Sequence, residues 1–364
     1  MIRAARLSLC ILLLTAGWTP AHAQQASPSF FAVETSIAVD ESTDFDGNQT
    51  TGVIADATVS ADLGRGFQAL VRPFAQRNAS GEWNRQIWIA AVRYERGGAV
   101  GLRVDAGLIP SPVGLANLTL RPHLNPTIAQ PSSLFTPLPP LEPLPERNSR
   151  ATLLGAVYPL GAQATLSGEH WDARAALIDT SPIRTRRTFS PVNPPRFANF
   201  VIGGGITPVV GVRLGASVTG GGWQRGGESA RITEDRSATI VTVEGDAAFA
   251  YTRLTGEWTR DSIETSTGTR IASGWFVQGQ QTLTPRWFVS GRLERMAAPA
   301  VFWFPDSTMP EVFQQRLNGV EETIGFRLTP EITLRVSHRA RRGFGRPEFE
   351  HTLGASAVWW KRWL

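Results

Sequence analysis

Five histidines, one cysteine and a scatter of carboxylates are the residues of this 364-residue chain that could do covalent or metal chemistry. His22, His123, His170, His338 and His351 make no His-x-x-x-His or His-Glu-x-x-His pair, the spacing that sets two imidazoles on one helix face around zinc. Cys10 is the only thiol, and it lies in an N-terminal apolar run. Ser337 adjoins His338, but sequence neighbours on a strand point to opposite faces and cannot act as nucleophile and base. Gly203-Gly204-Gly205 and Gly220-Gly221-Gly222 precede neither Lys-Ser/Thr nor a helical pattern, so they read as strand kinks and a loop rather than phosphate cradles. The pair Glu321-Glu322 reads as solvated carboxylates at a strand start. These residues predict no enzyme, no cofactor and no metal.

The charges that remain are arginines and acids spread along the chain at alternate positions. The set 36 basic to 31 acidic is too balanced for a polybasic nucleic-acid binder, and 42% hydrophobic residues are too many for disorder. Lys361 is the only lysine, while Gly (35) and Pro (25) are abundant, which argues against an all-helical protein. Arg3 and Arg6 precede an apolar run from Leu7 to about Trp18, and Ala21-His22-Ala23 is a small-x-small cleavage site. Residues 1–23 are thus predicted to be a secretory signal peptide, leaving 24–364 as one exported domain without cysteine, and so without disulfides or thiolate sites. No later stretch is long and apolar enough for a helical membrane span, so export leads either to a soluble protein or to a β-barrel in an outer membrane.

Period-2 alternation decides between them. Val53, Ala55, Ala57, Val59, Ala61 and Leu63 alternate with Ile54, Asp56, Thr58, Ser60 and Asp62, and Val212, Leu214, Ala216 and Val218 alternate with Arg213, Gly215, Ser217 and Thr219. About 16 such segments begin near residues 30, 51, 67, 85, 100, 156, 171, 198, 211, 237, 251, 271, 286, 317, 331 and 351. Their connections are short and long in turn: Leu63 to Gly66 and Thr284-Pro285 are tight, whereas 40–50, 78–84, 111–155, 182–197, 222–236, 264–270, 298–316 and 343–350 are long. That is the signature of an all-β, transmembrane, antiparallel up-and-down β-barrel with tight turns at one rim and longer external loops at the other. A dry core would make the polar face costly, because each unpaired buried charge costs several kcal/mol; a wet lumen removes the difficulty. Arg72, Arg93, Arg103, Asp105, Arg213, Glu244, Arg253, Glu257, Arg292, Glu294, Arg327 and Arg335 are therefore predicted to line the pore. Glu244, Asp246, Glu257 and Glu294 are predicted to pair with its arginines. Trp171, Trp258, Trp275, Trp287, Trp359, Tyr94 and Tyr251 are placed toward strand ends, as an interfacial girdle.

The longest connection, 111–155, follows the fifth strand, and the stretch Pro110 to Pro145 holds ten of the 25 prolines. Proline at that density favours extended backbone outside a ladder, and so long a loop in a compact barrel is usually functional. It is read either as folded into the lumen, with Arg121, His123, Glu142, Glu146, Arg147 and Arg150 as constriction residues, or as an external cap or subunit latch.

Gly107-Leu-Ile-Pro-Ser-Pro-Val-Gly114-Leu115, opening this loop, resembles the Gly-x-x-x-Pro-x-x-Gly-Leu run of the phosphate-selective porin-like family of bacterial outer-membrane porins. Gly168-Glu-His-Trp-Asp172 resembles the turn of that family's next hairpin. The resemblance implies a trimeric 16-stranded Gram-negative outer-membrane barrel. It does not carry phosphate selectivity, because those channels use lysine-rich ladders and this chain has Lys361 alone. Trp359, Trp360 and Trp363 in the last strand resemble the terminal aromatic signal that outer-membrane assembly machinery reads, although the chain ends in Leu364. The function expected is passive diffusion of small polar or anionic solutes through an arginine-lined lumen, in contact with outer-membrane lipid and with no nucleic-acid partner. The alternative is a plugged barrel with a binding or structural role.

Overall fold

The computed structural model describes residues 31–44, 49–77, 81–142, 151–155, 158–184, 199–227, 232–304 and 309–363. The segment read as a signal peptide, three loop residues (Glu146, Arg147, Arg150) and the terminal Leu364 lie outside the described residues.

Sixteen antiparallel strands close into a barrel in which each pairs with its sequence neighbours and the first pairs with the last. They are β1 (Phe31–Asp44), β2 (Gln49–Gly64), β3 (Phe67–Arg77), β4 (Trp83–Arg96), β5 (Gly101–Leu108), β6 (Leu160–Ser167), β7 (Trp171–Ile178) and β8 (Asn199–Val209). The second half comprises β9 (Val212–Gln224), β10 (Arg236–Phe249), β11 (Thr252–Thr265), β12 (Gly268–Thr282), β13 (Trp287–Phe302), β14 (Glu311–Arg327), β15 (Ile332–Arg342) and β16 (Glu350–Trp363). Closure comes from the aromatic last strand, whose Trp363 lies opposite Val33 and whose Trp359 lies opposite Ile37. No helix among the described residues is long and apolar enough to cross a membrane.

The alternation written in the sequence is the alternation of the wall. Inner-facing residues such as Thr242, Glu244, Thr259 and Asp261 are buried, while outer-facing Val243, Leu254, Val277, Leu293, Ile324 and Val336 are exposed. A belt of exposed aliphatic side chains around a closed barrel is a lipid surface. Phe249, Tyr251, Trp287 and Phe326 mark its short-turn border, the last two with ring centroids 4.7 Å apart.

Several expectations about the elements are corrected. The strands expected near 156 and 317 begin at Leu160 and Glu311, and the long connections 264–270 and 298–316 shrink because β11 to β14 continue their ladder beyond the apolar belt. Trp258 and Trp275 stand mid-strand, directly opposite each other, rather than at strand ends. The next outward residues past them, Arg260 and Ser262 on β11 and Ser273 on β12, are polar, with exposed Ile271 beyond, so the pair lies toward the long-loop border of the belt. The glycine triplets form no loop: Gly203 to Gly205 lie within β8 and Gly220 to Gly222 within β9, whose ladder with β10 shifts register beside Gly222. They supply room instead, since a Cβ at Gly205 would sit 2.7 Å from an Arg213 guanidinium nitrogen. Gly168 to His170 form the β6–β7 turn, closed by the Gly168 N–H donating to the Trp171 carbonyl at 2.8 Å.

Candidate functional site

The Pro-rich connection runs through the barrel interior. It leaves β5 through Ile109, makes a 3-10 helix at Ala116–Leu120 and one helical turn at Ser132–Phe135, and returns through Ala151–Gly155 and Tyr158 to β6. With no ladder to satisfy its backbone, it uses charged side chains of the wall. Glu257 on β11 accepts the N–H groups of Leu115 and Ala116, the latter at 3.0 Å. Glu321 on β14 accepts those of Ile128 and Ala129 at 2.9 and 3.0 Å. Glu294 on β13 takes the N–H and hydroxyl of Ser132, both at 2.8 Å. The loop's carbonyls are held by arginines: Arg292 donates to Ala129 and Gln130, and Arg335 to Pro122, Asn125 and Thr127. At its far end Glu142 pairs with Arg236 of β10.

Two glycines of the motif that opens the loop make this approach possible. Gly107 has φ +125° and a Cβ there would lie 2.2 Å from the Ala90 carbonyl oxygen; Gly114 has φ +71° and a Cβ would lie 2.3 Å from a Glu257 carboxylate oxygen. Any side chain at Gly114 would push away the acid that holds Leu115 and Ala116.

On the returning side, Tyr158 is held against the opposite wall. Arg72 donates to its hydroxyl at 2.6 Å and to Asp56 at 2.7 Å, with its guanidinium 5.0 Å from the Trp88 ring, which stacks on Phe74. The shift of register between Arg72 and Pro73 turns both Trp88 and Ile89 inward and re-phases β4, so that Arg93 faces inward as well. Loop residues Val113, Leu120, Leu134, Leu138 and Leu153, together with Ile183 of the β7–β8 connection, join wall residues such as Ile240, Ile263, Phe276 and Leu317 in one buried apolar cluster.

The twelve predicted pore-lining residues all face inward, but their surroundings differ. Arg72, Glu257, Arg292, Glu294 and Arg335 are buried beneath the loop and serve as its anchors, which corrects their assignment to a water-filled passage. Water reaches Arg93, Arg103 and Arg253, and to a lesser degree Arg213. Asp105 joins Arg93 at 2.6 Å and Arg103 at 3.1 Å; Asp246 joins Arg253 at 3.1 Å; Arg213 meets Asp172 at 2.9 Å and Glu244 at 2.8 Å, and Glu244 also holds Arg174 at 3.0 Å. Of the four acids expected to pair with arginines, Glu257 instead takes backbone donors. Arg327 stands at the short-turn rim, donating to the Pro285 carbonyl at 3.3 Å.

Of the loop's predicted titratable residues, Arg121 pairs with Glu34 at 2.9 Å, and His123 lies 3.4 Å from the same carboxylate with its ring stacked on Trp360. Burial and the neighbouring cations Arg121 and Arg72 push the His123 pKa down to about 3, so its imidazole is neutral. Sequence reading missed Glu321, which is buried rather than solvated, along with Asp56 and Tyr158. The parity of Asp56 and Glu321 on their strands was the available signal; for Tyr158, in an irregular segment, there was none. Asp261 on β11 is fully buried with neither carboxylate oxygen hydrogen-bonded, close to the buried, equally unpartnered hydroxyl of Thr259.

No protein-family model matches the chain, and no curated protein matches it in sequence. Solved structures do share its fold. OmpF of Salmonella typhi, in complex with daunomycin, aligns over 91% of this chain and 97% of its own with a TM-score of 0.61 at 8% identity. OmpT, an outer membrane protein of Vibrio cholerae, aligns over 93% and 100% with a TM-score of 0.59 at 7% identity. An anion-selective porin from Comamonas acidovorans aligns over 91% and 98% with a TM-score of 0.55 at 10% identity. The chain therefore has the fold of a 16-stranded porin-type transmembrane barrel, and nothing in these likenesses singles out the phosphate-selective subfamily.

Proposed function

We propose that this protein is an outer-membrane diffusion channel for small polar solutes, narrowed by a loop fixed inside its lumen. The observation that carries the reading is the attachment of residues 115–132 to Glu257, Glu294 and Glu321 from within the barrel, while charged residues of β4, β5, β10 and β11 elsewhere on the inner wall are still reached by water. A constriction built on buried charge keeps a defined shape, and a wall of fixed charges selects solutes by size and polarity. Because each water-accessible lumen arginine named above has an acid partner, the anion preference suggested by the arginine content is a modest one. Export by residues 1–23, recognition of β16 by assembly machinery and a trimeric state belong to the same reading. They are supported by the leader pattern, the terminal tryptophans and the trimer form in which OmpT of Vibrio cholerae is known.

The apolar cluster between loop and wall favours a second reading, a barrel plugged at that level. Planar-bilayer recording of the purified protein separates the two. The channel gives small, long-lived conductance steps with weak anion preference; a silent bilayer containing correctly folded protein overturns the channel and leaves the plug.

A further inference from the structure

Four arginines on the lipid-facing surface take no part in the lumen. Arg260 of β11, Arg295 of β13, Arg316 of β14 and Arg342 of β15 occupy outward positions, opposite in parity to Glu257, Glu294, Glu321 and Arg335. The first three are exposed, and Arg342 lies 5.4 Å from the Phe349 ring.

Register gathers them. Trp258 pairs with Trp275, Trp275 with Arg295, Arg295 with Asn318 and Asn318 with Arg342, a single row across five strands. One step toward the long-loop rim, Arg260 pairs with Ser273, Ser273 with Ala297 and Ala297 with Arg316. Directly opposed residues stand about 5 Å apart and diagonal ones about 7–8 Å, so Arg295, Arg316 and Arg342 surround Asn318 within reach of one ligand. Among the described residues no ion pair joins any of the four to a carboxylate. The outward acids of this face are committed or displaced: Glu264 accepts the Ser237 N–H, and Glu322 sits two outward positions below Asn318, opposite Gly291 and His338. Below the row the outward residues are Val277, Leu293, Val320 and Ala340. Concentrated positive charge thus lies on the lipid surface at the edge of the apolar belt, beside two tryptophans.

Like charges this close need an anion, and hydrocarbon supplies none. At that depth the available anion is a lipid headgroup, and guanidinium forks match phosphate oxygens two at a time. We propose that Arg295, Arg316 and Arg342, with Asn318 between them and Arg260 at the flank, form a docking surface for a phosphate-bearing lipid of the leaflet at the long-loop rim. Its acyl chains lie along the belt below. The inference rests on the reading of the chain as a membrane-embedded barrel but not on its conducting.

The test is lipid retention by the full-chain protein in detergent, read by native mass spectrometry with three probes: bisphosphorylated lipid A, dephosphorylated lipid A and phosphatidylethanolamine. The wild type retains the bisphosphorylated lipid under conditions that strip the other two, and R295Q/R316Q/R342Q lowers that retention at least roughly tenfold while conductance stays unchanged. Equal retention of phosphorylated and dephosphorylated lipid, or undiminished retention by the triple variant, overturns the proposal. Displacement of the lipid by millimolar inorganic phosphate overturns it too, in favour of a soluble-anion site. If the triple variant does not fold, the comparison of the three lipids on wild type decides alone. Phosphate-dependent retention by a protein silent in bilayers supports this proposal and fails only the channel reading.

Discussion

Glu257, in the middle of β11, receives the backbone N–H of Leu115 from 142 positions away, and the same carboxylate oxygen receives that of Ala116. A single acid thereby fixes the point at which the loop enters the lumen. Hydrogen bonds to a charged group contribute about 1.5–3 kcal/mol, enough to hold a loop whose own backbone has little internal ladder.

Removing that acceptor should release the loop without opening the barrel. Glu257→Ala keeps its heat-modifiable gel shift, while proteolysis within 115–142 accelerates roughly tenfold to a hundredfold, the ratio that follows from about 1.5–3 kcal/mol. Gly114→Val gives the same phenotype by displacing the carboxylate. Unchanged protease resistance in both variants would remove Glu257 as an anchor.

Arg292 is the most connected anchor, donating to Thr127, Ala129, Gln130 and Glu321 from a fully buried position. Arg292→Met leaves Glu321 buried without its cation and should cost about 3–5 kcal/mol. Adding Glu321→Gln recovers part of that loss, which urea unfolding in lipid vesicles measures as a double-mutant cycle. Simple additivity of the two substitutions would show that the pair is not coupled.

His123 gives the barrel a pH dependence of known sign. Its pKa is about 3 when folded and near 6.5 when unfolded, so the unfolded chain binds the extra proton between those values. Stability is full above pH 6.5 and falls toward pH 3, by at most about 1.4 kcal/mol per pH unit from this group. His123→Gln should flatten the profile in that window, and an identical slope in the variant would assign the acid sensitivity elsewhere.

Asp261 has the opposite character, being a buried carboxylate with no partner. Asp261→Asn or Asp261→Leu is expected to leave the protein as stable as before, or to stabilise it by about 1–3 kcal/mol, in the same unfolding assay. Strong destabilisation by both would mean that the carboxylate is held by an interaction of its own.

Asp105 is shared by Arg93 and Arg103, which water reaches. Asp105→Asn removes that common carboxylate, and the reversal potential in a salt gradient should move toward anion preference. A shift toward cations would contradict the placement of these two arginines along the permeation path.

Local residue order encodes the barrel. Period-2 alternation depends only on neighbouring residues, so the strand number, the alternating rims and the inward set from Arg72 to Arg335 were all legible in it. Motif glycines Gly107 and Gly114 were visible too, though not why they are glycines. Which inward charges meet water and which meet protein depends on where the loop packs. A proline-rich segment has no period from which its path can be read, and its partners on β11, β13, β14 and β15 lie far along the chain. Arg292 and Arg335 therefore look the same in sequence as Arg93 and Arg253, yet the first two clasp loop carbonyls and the last two face the remaining aqueous space. The outward arginine row escaped for a related reason: each member is one polar residue on an apolar face, and only strand register brings Arg295, Arg316 and Arg342 together.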